Sequence, residues 1–132
     1  MKINCFEEIL VWQKSSEFDK DVFKIIFSSK IKNDFALKDQ LLRSTGSIMD
    51  NIAEGFERGG KKEFIHFLTI SKGSCAEVKS QLYRALDRNY ISQIEFDKLS
   101  INSEETLKML GGFIKYLNQS QLDGVKFKTT KN

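Results

Sequence analysis

Apolar residues recur at helical spacing in four long segments of the chain, and this pattern restricts the fold more than any other feature. The first segment spans residues 7–29, and its stripe consists of Val11, Phe18, Val22, Ile25 and Ile26. The second spans 35–57, the third 61–88, and the fourth, about 92–118, has apolar residues at a spacing close to a heptad. The chain contains no proline, which inside a helix costs about 3 kcal/mol. We therefore predict four long α-helices.

Local signals mark the ends of these helices. Asp34 stands where its side chain can cap the second helix, and Gly59 or Gly60 can adopt the left-handed conformation that ends it. Ser92 and Glu95 match the S-x-x-E capping box, in which each side chain accepts a hydrogen bond from the other residue's backbone N–H. The helices are therefore separated by short turns.

Short connections require consecutive helices to run in opposite directions, because so few residues cannot carry the chain back to the same end. The sequence thus predicts an all-α fold, an antiparallel up-down-up-down four-helix bundle. Ser44 and Gly55 are small members of the second stripe and permit a neighbouring helix to approach closely. Residues 1–118 are assigned to the bundle, and residues 119–132 to a flexible polar C-terminal tail.

The composition limits the class of protein. With 40% hydrophobic and 30% charged residues, the chain is too apolar for a disordered protein and too charged for a membrane protein. No apolar run approaches the ~20 residues of a membrane span, and the first residues lack the pattern of a signal peptide. Cys5 and Cys75 do not make a disulfide framework, and Cys75 fits a core position. We expect a soluble, cytoplasmic, single-domain protein with no membrane partner.

The residues that commonly carry catalysis are too few to build a site. His66 is the one histidine, and no second His or Cys lies three or four residues away to complete a metal pair. Glu63 and His66 have the Glu-x-x-His spacing of diiron bundles, but such a site needs this pair on two helices. No phosphate-binding loop of the form G-x-x-x-x-G-K-[ST] is present. We predict no catalytic residue, no metal and no cofactor.

A polar strip lies beside the apolar stripe of the second helix. At about 100° per residue, Ser47, Asn51, Glu54 and Arg58 share one side, roughly a quarter-turn from the core stripe. A comparable flank on the third helix consists of Ser74, Glu77, Gln81, Arg84 and Arg88, with Phe67 and Ile70 beside it. Half-buried polar groups need partners. Two interpretations remain open: an intramolecular network, in which Glu54 or Glu77 pairs with an arginine and Asn51 bonds to backbone, or a surface that contacts another subunit.

Basic residues are concentrated between residues 58 and 88, where seven Lys or Arg accompany three acidic residues. A second basic segment surrounds the first turn and comprises Lys24, Lys30, Lys32, Lys38 and Arg43. The net charge of +3 is compatible with nucleic acid without indicating it. In a ring of identical copies these basic segments would be repeated. Several contacts between their side chains and phosphate groups would then give a salt-sensitive affinity for nucleic acid. No base-reading motif accompanies them, so we expect little sequence preference.

Three stretches, residues 6–15, 37–58 and 62–82, resemble a known family. The most specific parts are VWQK at 11–14, NIAEGF at 51–56 followed by Arg58, Glu63-Phe64 with Phe67-Leu68, and Gly73-Ser74 with Glu77. This pattern extends over about residues 6–117 and is similar to the bacterial four-helix-bundle family named for the intervening sequences of 23S ribosomal RNA. Many members have Pro where this chain has Met49 and Gly where it has Glu57.

The resemblance implies a bundle that assembles into a homopentameric ring, with no enzymatic activity attached to the family. Some members are encoded within insertions in ribosomal RNA genes. A similar branch, the accessory variability proteins of diversity-generating retroelements, is a basic pentamer that binds nucleic acid and a reverse transcriptase.

Together, the residues and the resemblance predict a non-enzymatic homo-oligomer, a pentamer, that binds RNA or DNA in a ribonucleoprotein. The residues predicted to contact phosphate are Arg58, Lys61, Lys62, Arg84 and Arg88. Those assigned to folding or assembly are Trp12, Asn51, Glu54, Phe67, Ser74 and Glu77. The alternative is a protein–protein interaction scaffold without nucleic-acid binding, and a third hypothesis is a metal-dependent enzyme that uses Glu63 and His66.

Overall fold

The computed structural model describes residues 3–120, and this part of the chain contains four long helices. They are α1 (Leu10–Ser28), α2 (Phe35–Glu57), α3 (Lys61–Asp87) and α4 (Gln93–Gln119). Short 3₁₀ helices precede α1 (Phe6–Glu8) and join it to α2 (Lys30–Asn33). Residues 3–120 contain no β-strand, so the predicted all-α class is confirmed. Of the predicted tail, Gln119 is the last residue of α4, and residues 121–132 lie outside the described part of the chain.

The ends of α2 follow the local signals that predicted them. The Asp34 carboxylate accepts a hydrogen bond from the backbone N–H of Leu37 at 3.3 Å. Gly59, just after the last turn, has a φ of 85°, in the left-handed region that glycine adopts without strain. Before α4, Ser92 and Glu95 form both hydrogen bonds of the predicted capping box.

The first helix begins later than predicted. Residue 7 was expected to start it, but Phe6–Glu8 form a separate 3₁₀ turn and α1 starts at Leu10. Between them, Ile9 has an extended backbone (φ −76°, ψ 118°) and is 3% exposed. The break directs Ile9 into the core, and this is a tertiary contact that helical periodicity does not report.

Contacts between helices fix their relative directions, because residue numbers rise along one helix as they fall along its neighbour. The pairs are Ser44–Gln81 and Ser47–Ser74 for α2 and α3, Phe64–Phe113 and Tyr83–Phe96 for α3 and α4, and Lys14–Glu105 and Asp21–Asn102 for α1 and α4. The helices pack around the core in the order α1–α2–α3–α4, with α1 also against α4. The fold is the predicted antiparallel up-down-up-down bundle.

Aromatic rings join three of the helices near one end of the core. Phe64 of α3 is 1% exposed. Its ring meets Phe113 of α4 edge-to-face at 5.3 Å between centroids and Phe56 of α2 at 6.1 Å. Such edge-to-face pairs add to the gain from burial. Phe64 therefore ties together α2, α3 and α4.

Helices α2 and α3 approach closely at Gly55. A Cβ atom built on Gly55 would lie 2.6 Å from the Cβ of Phe67 and 3.1 Å from Cδ1 of Phe64. Both positions belong to the opposing helix, so relief would require the two backbones to move apart. Glycine is required here by the packing, as the sequence pattern indicated.

The described cysteines are not paired with each other. Cys5 is partly exposed and Cys75 is buried. The Cys75 thiol donates a hydrogen bond to the Ser103 carbonyl at 3.4 Å, and burial raises the pKa of this thiol to about 11. Cys75 therefore remains protonated at neutral pH and acts as a small core residue.

Candidate functional surfaces

A row of polar contacts follows the outer edge between α2 and α3. It runs from the middle of the bundle to the end that holds the α1–α2 connection. The pairs are Ser47–Ser74 at 2.8 Å, Ser44–Gln81 at 3.0 Å, Gln40–Arg84, and Asp34–Arg88 at 2.7 Å. These are the two flanks that the sequence analysis singled out, and the structure brings them together. Ser74, which was assigned to folding or assembly, is 6% exposed.

Towards the other end of α2, the polar strip bonds within its own helix. The Asn51 amide donates to the Ser47 carbonyl at 2.8 Å and to the Ser47 hydroxyl at 2.9 Å. Arg58 pairs with Glu54 at 2.8 Å, and both side chains are about half exposed, so the pair adds little stability. These are contacts that the intramolecular interpretation anticipated.

Phe67 and Trp12 are half-buried on different helices. The Arg58 guanidinium lies 5.1 Å from the centroid of the Phe67 ring, within reach of a cation–π interaction. Trp12 packs against the core and meets Phe6 edge-to-face at 5.2 Å. Phe67 of α3 therefore contacts Arg58 at the end of the polar strip of α2, whereas Trp12 packs the 3₁₀ turn against α1.

A groove of about 400 Å³ opens along the α2–α3 edge. Its walls are polar and consist of Gln40, Arg43, Ser44, Glu77, Ser80, Gln81 and Arg84. Gln81 is 8% exposed, and within residues 3–120 nothing donates a hydrogen bond to its Oε1. The Glu77 carboxylate is exposed and has no hydrogen bond or ion pair in the same range. A buried acceptor without a donor is unfavourable by about 1–3 kcal/mol, so this groove favours a polar occupant.

The five residues predicted to contact phosphate do not form one patch in the monomer. Arg58, Lys61 and Lys62 lie at the α2–α3 turn, whereas Arg84 and Arg88 lie near the other end of α3. The 22 residues from Lys62 to Arg84 correspond to roughly 33 Å of helix. The two groups are close in sequence, but α3 is one continuous helix and separates them along its length.

Most of these basic residues also have partners in their own chain. Arg58 pairs with Glu54, Lys61 donates to the Ser120 carbonyl at 2.8 Å, and Arg84 donates to the Gln40 amide oxygen. Arg88 forms an ion pair with Asp34. Lys62 is exposed and has no hydrogen bond or ion pair among the described residues. Phosphate would therefore compete with partners that are already present at four of the five positions.

Asp34 is the most connected carboxylate of this surface. Besides capping α2, it accepts from the Tyr90 hydroxyl at 3.0 Å and pairs with Arg88. The Leu37 N–H, the Tyr90 hydroxyl and Arg88 together lower the pKa of Asp34. The stability that these contacts provide is present above the usual pKa of an aspartate, and it is lost as pH falls through the lower folded value.

The structure separates charge between the two ends of the bundle. We divide the bundle into two halves at the level of the Asp21–Asn102 hydrogen bond. Residues 20–43 and 79–101 form one end, and the remaining described residues form the other. The first carries ten basic residues (Lys20, Lys24, Lys30, Lys32, Lys38, Arg43, Lys79, Arg84, Arg88, Lys98) and six acidic ones (Asp21, Asp34, Asp39, Asp87, Glu95, Asp97). The second carries seven basic and eleven acidic residues. We call residues 20–43 and 79–101 the basic end.

Several lysines of the basic end have no polar partner in the described part of the chain. Lys20, Lys24, Lys30 and Lys32 are exposed, and none of them has an ion pair or hydrogen bond within residues 3–120. The sequence indicates a basic segment around the first turn, but none of its residues is among the predicted phosphate contacts. The signal was available in the composition, because residues 20–43 carry six basic and three acidic side chains.

Three exposed phenylalanines accompany these lysines, and none of them is among the predicted site residues. Phe23 is 54% exposed, Phe27 44% and Phe35 71%. The rings of Phe23 and Phe27 lie 4.7 Å apart with an interplanar angle of 47°. The Lys38 ammonium lies 4.9 Å from the centroid of the Phe35 ring. The exposure of Phe23 and Phe27 could have been predicted from their helical positions, because neither lies on the face of α1 that carries Val11, Phe18 and Val22.

Glu63 and His66 show no sign of a metal centre. His66 is exposed on α3, and its ring packs 5.6 Å from that of Phe67. In residues 3–120, no three His, Cys, Asp or Glu side chains come close enough to hold a metal ion.

Across the same residues, none of the helices combines the length and the apolarity that crossing a membrane requires.

Comparisons with known proteins agree with the fold and the residue pattern. The sequence model of the family described as "23S rRNA-intervening sequence protein" matches residues 7–112. A crystal structure of a protein of unknown function from the S23 ribosomal protein family of Bacteroides thetaiotaomicron superposes with a TM-score of 0.73. It is 28% identical, and the alignment covers 80% of this chain and 99% of that one. No curated protein sequence matches the chain. The chain belongs to the 23S rRNA-intervening sequence protein family.

Proposed function

We propose that this protein is a non-enzymatic homo-oligomer, with five subunits as the resemblance implies, that binds RNA or DNA with little sequence preference. The observation that carries the nucleic-acid part is the concentration of unpaired lysines at the basic end. Phosphates would displace only water and counterions from Lys20, Lys24, Lys30 and Lys32. The expected location is the cytoplasm, in a ribonucleoprotein.

The other predicted phosphate contacts fit this proposal unequally. Arg84 and Arg88 belong to the basic end and extend it along α3. Arg58, Lys61 and Lys62 stand about 33 Å away, so they would serve a second segment of a long nucleic acid. Because contacts with backbone phosphates carry no sequence information, affinity should depend on charge and length rather than on base order.

The α2–α3 groove supports the assembly part of the proposal. Glu77 and the Oε1 of Gln81 lack donors in the described chain, and Asn51, Glu54 and Phe67 lie further along the same edge. A neighbouring copy that supplies polar donors there would remove the energetic penalty of the buried acceptor. The test is the solution mass of the full chain, expected at five times the subunit mass, and a monomer at micromolar concentration would contradict it.

Nucleic-acid binding is tested with mixed-sequence single-stranded RNA across a salt series. If four lysines contact phosphate, the logarithm of the binding constant should fall against the logarithm of salt concentration with a slope of about −3, from roughly 0.7 per contact. A change of base order at constant length should alter affinity little. A flat salt dependence, or no binding at low salt, would reject this part of the proposal.

A protein–protein interaction scaffold is the second candidate. The observation in its favour is that Arg58, Arg84 and Arg88 already have partners in their own chain. This candidate predicts no RNA binding at low salt. It also predicts that the wild-type chain binds an acidic protein partner, and that charge reversal at Lys61 and Lys62 abolishes this interaction. The RNA salt series therefore separates the two candidates.

A further inference from the structure

We propose that Phe23, Phe27 and Phe35 form a stacking surface for the bases of single-stranded nucleic acid, with the surrounding lysines holding its phosphates. This inference rests on the proposed nucleic-acid binding and adds a ligand class, single strands rather than duplexes, and a location. We call the three side chains the aromatic strip. Neither the predicted phosphate contacts nor the α2–α3 groove includes any of them.

The aromatic strip faces away from the helices that fill the other sides of α1 and α2. Lys14 and Asp21 of α1 bond to α4, and Phe23 and Phe27 lie roughly 130–170° around α1 from that direction. On α2, the side that meets α3 carries Ser44 and Ser47, and Phe35 lies roughly 150° away. Since α1 and α2 are antiparallel neighbours, the three rings share the outer side of this helix pair near the connection.

Lysines alternate with the rings along this surface. Phe23 and Lys24 stand three and four residues after Lys20, and Phe27 stands four and three residues after them. These spacings place the paired side chains next to each other on α1. Lys30 and Lys32 continue the row on the second 3₁₀ helix. Exposed rings give bases a flat apolar contact of about 1–3 kcal/mol per base, and lysines beside them balance the phosphate charge. The pattern thus matches the combination that single strands require.

Charge argues against a two-fold contact of this surface with itself. Such a contact would bring Lys20, Lys24, Lys30 and Lys32 of one chain near the same lysines of the other. These four lysines outnumber the exposed carboxylates at helical spacing from them, Glu17 and Asp21. In the proposed five-membered ring two different faces of neighbouring copies would meet, and the oligomer mass distinguishes that occupant. A duplex is also a poor ligand for the strip, because its bases are stacked on each other and have no free face to offer. A single strand provides both the negative charge and the free faces.

The test compares Phe23→Leu/Phe27→Leu with the wild-type chain in binding a 12-nucleotide oligouridine. Leucine keeps an apolar side chain on the helix and removes the ring, so we expect affinity to fall about tenfold or more. The salt slope should stay unchanged because no charge is removed. Tyr116→Leu, an exposed aromatic near the end of α4, is the matched control and should bind as the wild type does.

The outcomes separate this inference from the proposed function. Wild-type binding with an unchanged affinity of the Phe23→Leu/Phe27→Leu variant overturns the aromatic strip and leaves phosphate binding intact. Absence of wild-type binding overturns both. If the variant has a different oligomer mass, the strip belongs to a contact with a second copy, and the inference is overturned. If the variant loses binding to vesicles of anionic phospholipid but still binds oligouridine, the strip belongs to a lipid surface, and the inference is overturned as well. Equal wild-type affinity for a 12-base-pair duplex also contradicts it.

Discussion

Replacing Phe64 by alanine should lower the free energy of unfolding by about 3–5 kcal/mol, the range for removing a large aromatic side chain from a core. The ring contacts Phe113 and Phe56 edge-to-face, so its loss empties a space shared by three helices. A backbone held by helical hydrogen bonds collapses little into such a space, and the cavity term remains. The measurement is urea unfolding followed by circular dichroism.

The matched control for Phe64 is Phe35→Ala. Phe35 is the same residue type but is 71% exposed, and an exposed substitution changes stability by within about 0.5 kcal/mol. Both variants should be compared with the wild type at one protein concentration, since assembly adds a concentration-dependent contribution. Equal effects of the two substitutions would contradict the assignment of Phe64 to the centre of the core.

A single methyl group at position 55 should also destabilise the bundle strongly. Gly55→Ala places a Cβ atom 2.6 Å from the Phe67 Cβ, which forces α2 and α3 apart. Overpacking of this kind costs about 1–3 kcal/mol, against the gain of up to about 1 kcal/mol that alanine normally brings to a helix. We therefore expect a net loss of stability in urea unfolding.

Gly73→Ala is the control for Gly55. Gly73 lies on α3, is exposed, and a Cβ built on it meets nothing within 4 Å. The same chemical change should stabilise this position by up to about 1 kcal/mol through helix propensity. The two substitutions are thus expected to have opposite signs, and stabilisation by Gly55→Ala would show that the close approach of α2 and α3 is not required.

The sequence predicted those features that depend on neighbours along the chain. The Asp34 cap, Gly59 and the Ser92–Glu95 box are local, and α2 begins and ends where they indicated. The Glu54–Arg58 pair and the bond from Asn51 to the preceding turn follow the i, i+4 spacing. Such contacts are fixed once the helix forms.

Features that depend on packing were predicted less well. The break at Ile9 arises from burial against the rest of the bundle, so the helical periodicity of the first segment could not show it. The partnership of Arg88 with Asp34 joins residues 54 positions apart. Residues 58–88 looked like one basic region because they are close in sequence, but a helix of this length carries them to opposite ends of the molecule.

The uneven distribution of charge has a consequence for recognition. Across the described residues the basic and acidic side chains are equal in number, so average charge gives no attraction to phosphate. The proposed attraction rests on the basic end, which gathers lysines without partners in residues 3–120, whereas eleven of the seventeen described acidic residues lie at the other end. If the proposed binding holds, the subunit itself sets the orientation of the nucleic acid, with the basic end towards the phosphates.

Charge reversal at one end of the bundle tests this account most directly. Lys30→Glu/Lys32→Glu and Lys61→Glu/Lys62→Glu each change the net charge by the same amount, but at opposite ends. The measurement is the salt slope for a short single-stranded RNA, which the first variant should flatten by about 1–2 while the second leaves it close to wild type. Equal slopes for the two variants, or a larger loss at Lys61 and Lys62, would contradict the assignment of the basic end to phosphate binding.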